Sequence, residues 1–328
     1  MKAIVITRPG GPEVLDYREV PDPVAGPEDL LVRVRATALN RADLLQRMGG
    51  YPQPGPKPAH EIPGLEYAGE VVAAGDRVEG FAVGDRVMGL LAGGGYAELV
   101  VTHHRLATKV PGQLSWEEAG ATPEVSITAH DALTQCSFVA GERVLIHAVG
   151  SGVGVAAAQI AKVLGASLVA GTAGSAEKLA RARELGLDLG INYREQDFAE
   201  EVLRATDGRG VDVIVDVIGA DYWSRNLRAL AVKGRMVIVG LMGGTETNAN
   251  LGVLLQKRLQ VRGTTLRARP LEEKAAATRA FEKSVLPHIA SGRVKVVVDR
   301  VYALRDAAEA HAYMETNANF GKIVLVPG

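Results

Sequence analysis

The stretch RVLIHAVGSGVG, Arg143–Gly154, followed by VAAAQIAKVL to Leu164, decides the fold. Arg143–Ala148 reads as a buried strand, and Gly152–Leu164, rich in alanine, as the helix that follows it. The small residues between them let the backbone approach a pyrophosphate, and the N–H groups at the helix start, those of Gly152 and Val153 included, meet its charge. A strict G-x-G-x-x-G does not fit: in the register ending at Gly154, the first two glycine positions hold Val149 and Ser151. Small residues also serve plain helix-on-strand packing, so the turn gains its meaning from its strand–turn–helix context and from the strands that follow. Val144–Ala161 lacks Asp, Glu, Lys and Arg and holds the pair Gly150 and Gly154, a pattern of membrane helices. Its glycines cluster at the junction, His147 and Gln159 lie inside, and charged segments flank it, so a membrane span is not expected.

Downstream, strands are expected at Ser167–Thr172, Gly190–Tyr193, Asp212–Val217, Arg235–Leu241 and Gln260–Thr265, with helices at Ser175–Leu185 and Asp197–Ala205. Alternating buried strands and helices make an open, doubly wound parallel sheet. Upstream of about Pro123 the rhythm differs: Ala3–Thr7, Leu30–Ala36, Glu70–Ala73, Arg86–Leu91 and Tyr96–Val101 are short strands broken by glycine, proline and Gly-Asp turns. That pattern predicts a compact β-barrel-like unit. After Leu266 come a helix over Leu271–Ala290, a strand pair near Val296–Tyr302, a helix over Arg305–Glu315 and a last strand, Gly321–Val326. The expected class is α/β, with a β-rich domain of residues 1–123 and 266–328 and a Rossmann domain of residues 124–265.

Composition fits an ordinary folded protein. The 328 residues are 47% hydrophobic and 23% charged, with a net charge of −1. No basic excess supports a nucleic-acid partner. A single cysteine, Cys136, excludes an intrachain disulfide and any multi-cysteine metal site, and fits a reducing, cytoplasmic setting.

The end of the second Rossmann strand addresses the cofactor. Enzymes that bind NAD place Asp or Glu there for the ribose 2′-hydroxyl, whereas this chain reads AGTAGS, Ala170–Ser175. A carboxylate would repel a 2′-phosphate, so its absence permits NADPH. Around Gly174, Ser175 offers a hydrogen bond, Lys178 a positive charge and Tyr193 a cover for adenine or ribose. The plainer alternative makes Lys178 a solvated residue offset by Glu177. NADPH is the expected cofactor.

The motifs LNRADLLQRMGGYPQP (Leu39–Pro54), GLEYAGEV (Gly64–Val71), LIHAVGSGVG, INYREQDF and NFGKIVL (Asn319–Leu325) resemble the zeta-crystallin-type quinone oxidoreductases of the medium-chain dehydrogenase/reductase superfamily. LLAGGGYAE, VGLMGG (Val239–Gly244) and LRARP (Leu266–Pro270) are similar to the branch of tumour-suppressor-inducible quinone oxidoreductases. The resemblance spans nearly the whole chain. It implies a GroES-like catalytic domain before and after the Rossmann domain, NADPH as cofactor, and a homodimer or homotetramer. The expected edge strand Gln260–Thr265 agrees, since a second copy would cover it.

Zinc-dependent relatives carry Cys where this chain has Asn40-Arg41-Ala42-Asp43 and a His–Glu pair where it has Leu65-Glu66, and the four-cysteine structural loop is absent. No catalytic metal is expected. The resemblance puts Asn40 and Tyr51 beside nicotinamide and acceptor and Thr128 in the lining. Tyr51 is the expected hydrogen-bond or proton donor to the developing oxyanion, with a structural aromatic as its alternative. Ser151 affects turnover by placing the cofactor. Val217, Ile218, Gly219, Gly240, Leu241, Met242, Leu266, Arg267 and Asn317 match cofactor-contacting positions. Quinone reduction gains aromaticity, so positioning supplies much of the catalysis. Two alternatives stay open: reduction of an enal or enone C=C bond, and a crystallin-like NADPH-binding protein with little turnover.

Overall fold

The computed structural model describes residues 1–328. In chain order the elements are β1 (Lys2–Ile6), β2 (Leu15–Glu19), β3 (Asp29–Ala38), α1 (Arg41–Arg47), β4 (Glu66–Ala74), β5 (Arg86–Leu90), β6 (Leu99–His103), β7 (Ala107–Lys109), α2 (Trp116–Gly120) and α3 (Pro123–Gln135). Then follow β8 (Arg143–Ile146), α4 (Gly152–Val163), β9 (Leu168–Ala173), α5 (Ala176–Glu184), β10 (Leu189–Asn192), α6 (Phe198–Ala205), β11 (Val211–Asp216), α7 (Trp223–Ala229), β12 (Leu230–Ile238), α8 (Leu251–Lys257) and β13 (Gln260–Gly263). The chain ends with α9 (Leu271–Ser284), α10 (Leu286–Ala290), β14 (Val298–Ala303), α11 (Ala307–Glu315) and β15 (Lys322–Val326). Two compact units result: Met1–Ile127 with Leu266–Ala290 and Val296–Gly328, and Thr128–Thr265 with Ser291–Lys295.

The first unit is built on a seven-stranded sheet ordered β14-β15-β3-β4-β5-β7, with β6 also paired to β3. Only β14 and β15 run parallel. Period-two alternation along β3 sends Leu30, Val32, Val34 and Ala36 inward and leaves Arg33 and Arg35 exposed. Leu30, Val32 and Val34 meet Tyr67, Val71, Val87 and Val100 in one cluster, and Ala36 packs with Ala38, Ala121 and Val324 in another. Because β15 pairs with β3, with Val324 opposite Ala38, the C-terminus is stitched to the strand that leads into α1.

The second unit is a six-stranded, all-parallel sheet ordered β10-β9-β8-β11-β12-β13. Val144, Leu145 and Ile146 of β8 are fully buried, as a strand covered on both faces requires. Alanines at 156, 157, 158 and 161 bury α4 closely, since a methyl side chain keeps the helix near the strands. Leu145, Ala170, Ile191, Phe198, Val202, Ile214 and Met236 form one core cluster here.

Several elements depart from the sequence reading. The long helix expected over Leu271–Ala290 is two helices, α9 and α10. Pro287 lacks an N–H and its ring crowds the preceding turn, so the break falls just before it. The strand pair near Val296–Tyr302 is the single strand β14, whose partner β15 lies further along the chain. Helices α1, α2, α3, α7 and α8 and strands β2 and β7 were not anticipated. None of the residues of α8 is buried although Leu251–Lys257 is largely apolar, and seven residues are too short a run for a helical period to stand out in the sequence.

Candidate active site

In the second unit the loops that leave β8, β9, β10, β11 and β12 all lie at the carboxyl ends of the parallel strands, where open α/β sheets bind ligands. The strand order reverses between β8 and β11, which makes the turn after β8 the switch point. That turn opens on Ala148, held at φ 54°, a left-handed conformation uncommon outside glycine. Ser151 N donates to Ala148 O at 2.8 Å, and the Ser151 hydroxyl caps α4 by accepting from Gly154 N at 3.0 Å. Gly152 and Val153 follow as the first two helical residues, whose N–H groups have no intrahelical carbonyl to meet. A Cβ on Gly154 would lie 2.2 Å from Ala148 O, so only glycine permits this closeness. The turn therefore fits a pyrophosphate: half-exposed small residues, orphan N–H groups and the positive end of a helix.

The neighbouring loop fits a larger anion-bearing ribose. Ser175 caps α5 by accepting from Lys178 N at 3.3 Å. A Cβ on Gly174 would meet Tyr193 Oη at 2.7 Å and Arg194 Nε at 3.1 Å, so Gly174, Tyr193 and Arg194 converge on one spot. No carboxylate occurs between Ala170 and Ser175. Arg194 extends the basic character of this corner, and the sequence reading had passed over it inside INYREQDF.

The loops after β11 and β12 brace each other. Gly243 N donates to Ile218 O at 2.7 Å, Met242 N to Val217 O at 3.3 Å and Ala220 N to Gly244 O at 3.1 Å. Beneath them Asp216 accepts from Ile218 N at 2.7 Å, Gly219 N at 3.2 Å and Asn226 Nδ2 at 3.0 Å. Burial pushes its carboxyl up to about 6, against these hydrogen bonds. Buried His147 links Thr172 Oγ1 and Asn226 Oδ1, and desolvation lowers its pKa to about 4, so the ring is neutral. Val217, Ile218, Gly219, Gly240, Leu241 and Met242 are thus held on a buried polar frame, with Leu241 and Met242 exposed. Thr128 is buried on α3 at the start of this unit.

In the first unit a second buried polar network surrounds Asn40. The Lys322 ammonium donates to Leu39 O, Asn40 Oδ1 and Glu66 Oε1, each at 2.7 Å. Asn40 Nδ2 donates to Glu66 Oε1 at 2.9 Å and Ala38 O at 3.3 Å. Glu66 is completely buried, and its other oxygen accepts from Glu124 N at 2.9 Å. The amide of Asn40 is thereby locked in one orientation, with its oxygen toward the lysine. Alongside, Asp43 accepts from Asn40 N at 2.8 Å, Gly64 N at 3.0 Å and Tyr96 Oη at 3.3 Å. Its burial pushes the carboxyl up to about 6. No group of three or more His, Cys, Asp or Glu side chains is arranged to hold a metal ion.

Arg267 and Tyr51 meet on the far side of α1. The buried guanidinium donates to Ala92 O at 2.7 Å, Tyr51 O at 3.0 Å and Gln46 Oε1 at 2.6 Å, and lies 5.0 Å from the Tyr51 ring centroid. Arg267 thus ties the loop of Tyr51 to α1, and Leu266 beside it is buried. Asn317, at φ 55°, accepts from Arg41 Nη2 at 2.5 Å, which brings it to the start of α1. Asn40, Tyr51, Arg267 and Asn317 are therefore gathered around one short helix. Sequence reasoning missed Lys322 and Glu124. Lys322 was visible only as part of NFGKIVL, and Glu66 only as the residue beside a missing zinc ligand.

Comparison with known proteins agrees with both halves. Residues 26–112 match the family described as alcohol dehydrogenase GroES-like domain, and residues 152–283 the family described as zinc-binding dehydrogenase. The quinone oxidoreductase of Pseudomonas aeruginosa is 36% identical, with 99% of each chain covered. Among solved structures, an NAD-dependent alcohol dehydrogenase superposes with TM-score 0.89 at 37% identity, covering 100% of both chains. Escherichia coli quinone oxidoreductase complexed with NADPH superposes with TM-score 0.88 at 34% identity, again covering 100% of both. No helix is long and apolar enough to cross a membrane. With full-length identity at this level, a GroES-like unit and a Rossmann sheet, the chain belongs to the quinone oxidoreductases of the medium-chain dehydrogenase/reductase superfamily.

Proposed function

We propose that this protein is an NADPH:quinone oxidoreductase that works without a metal ion. The observation that carries the reading is similarity to quinone oxidoreductases over 99% of both chains. Bound NADPH supplies the reducing equivalents, and the chain's own residues hold and orient the reactants. Ser151, Gly152 and Val153 hold the pyrophosphate, and Ser175, Lys178, Tyr193 and Arg194 favour a 2′-phosphate over a free hydroxyl. Val217–Gly219 and Gly240–Met242 line the cofactor, with Thr128, Asn40 and Asn317 beside its nicotinamide end. Leu266 and Arg267 complete the set, Arg267 by anchoring the Tyr51 loop. Tyr51 donates a hydrogen bond to the oxygen on which charge develops. A quinone needs little further activation, since its reduction restores an aromatic ring.

A second copy of the chain is the proposed partner, in a homodimer or homotetramer. The edge strand β13 and the exposed Leu251 and Leu255 of α8 offer it an unpaired backbone and apolar surface. The buried free Cys136, whose thiol desolvation pushes up to about 12, fits a reducing cytoplasm. The testing experiment is steady-state oxidation of NADPH and NADH with quinones, an enal and an enone as acceptors. Turnover of quinones with preference for NADPH is expected; turnover of the enal or enone alone would replace the quinone reading.

A further inference from the structure

Glu124 lies in the first turn of α3, and its own N–H donates to Glu66. It is half-buried, unlike the completely buried Glu66 and Asp43. Its carboxyl makes no hydrogen bond within the protein, although every other polar group of the Asn40 network is engaged. Glu66 and Asp43 accept, Lys322 donates three times, and Arg267 is spent on Ala92, Tyr51 and Gln46. The charged groups that face Glu124 are Glu66 of β4, Asp43 of α1, Lys322 of β15 and Arg267 after β13. Lys322 is already neutralised by Glu66 at 2.7 Å, so a second carboxylate here would find no cation of its own. An accessible carboxyl with open hydrogen-bonding capacity, beside an ion pair that discourages its ionisation, is suited to hold a proton and release it outward.

We propose that Glu124 is a further catalytic residue, the general acid that protonates the reduced acceptor. The inference rests on the reading of Asn40 as an acceptor-side residue. In the step, a hydride passes from NADPH to the quinone, leaving NADP⁺ and a hydroquinone monoanion. The O–H bond of Glu124 breaks as a new O–H bond forms on the phenolate oxygen, and hydroquinone departs. The Glu124 carboxylate then recovers its proton from water. Burial first, and the Glu66 charge second, push the Glu124 carboxyl up to about 8. A phenolic oxygen has an ordinary value of about 10, so transfer runs downhill, whereas an unshifted glutamate would hold no proton at neutral pH.

The test uses the full chain with menadione as acceptor, comparing wild type with Glu124→Gln and Glu124→Asp. The wild type is expected to lose kcat as pH rises through about 8. Glu124→Gln should lower kcat at neutral pH by on the order of a hundredfold, remove that pH limb and leave the KM for NADPH within about twofold. Glu124→Asp should recover part of the rate. Infrared spectroscopy of the protein without substrates gives a readout independent of turnover. A protonated-carboxyl C=O band should be present at neutral pH, titrate near pH 8 and vanish in Glu124→Gln. An unchanged rate and pH profile in Glu124→Gln, or the same band persisting in that variant, would overturn the proposal. A wild type that shows the infrared band yet turns over no quinone would sink the quinone reading while leaving the proton on Glu124.

Discussion

Replacing Lys322 by methionine tests the network on which the Asn40 site is built. Methionine keeps most of the volume and removes the charge. Lys322 is 4% and Glu66 0% exposed, and three hydrogen bonds of 2.7 Å end on the ammonium. Without it, Glu66 retains only Asn40 Nδ2 and Glu124 N as partners for a carboxylate shut away from water. Removing one member of a buried pair costs about 3–5 kcal/mol, most of it the uncompensated charge left behind. Removing both members should cost less, so Glu66→Gln introduced into the Lys322→Met background should return roughly 2 kcal/mol or more. Urea unfolding followed by fluorescence and circular dichroism measures this, with coincidence of the two probes checked for a two-unit chain. The exposed pair Arg35–Glu70, at 2.6 Å, is the internal control, and its removal should cost no more than about 1 kcal/mol. A Lys322→Met loss no larger than the control, or no recovery in the double variant, would refute the buried-pair argument.

Further expectations concern the second unit. Lys178→Ala should raise the NADPH dissociation constant about tenfold or more and that for NADH little, as measured by fluorescence titration; equal effects would defeat the phosphate assignment. Gly174→Ala should also weaken NADPH with little effect on unfolding, because its new methyl displaces Tyr193 and Arg194 from the same corner. His147 titrates at about 4 in the fold and 6.5 in the unfolded chain, so acid protonates the unfolded state first. Its contribution is fully present above about 6.5 and falls, by about 3 kcal/mol in all, as pH drops to about 4. Asp43 and Asp216, raised to about 6, act in the opposite sense over part of that range. The informative quantity is therefore the difference between wild type and His147→Gln across pH, which should change sharply between those values; a flat difference would mean His147 is not desolvated.

Much of the fold was readable locally. The glycine and serine positions of the turn after β8 and the missing acid after β9 are local features, fixed by what a backbone turn or a phosphate tolerates. The period-two pattern of β3 likewise declares its buried face. What escaped reading depends on distant partners. Lys322 and Glu66 are separated by 256 positions, and the proton on Glu124 depends on residues from β4, α1 and β15. The break between α9 and α10 had a local signal in Pro287, which the run of helix formers before it obscured. Exposed α8, seven residues long, was too short for its apolar residues to show a helical period. Arg267 sat in a motif matched to cofactor contact, and only packing revealed that its donors serve the Tyr51 loop.

The most direct test of the account follows the near-ultraviolet absorbance of NADPH with menadione, an enal and a simple ketone as acceptors, with NADH run alongside. The account predicts fast turnover of menadione with NADPH, slower turnover with NADH and none with the ketone. Efficient ketone reduction with NADH preferred would contradict it and move the chain toward the alcohol dehydrogenases it also resembles.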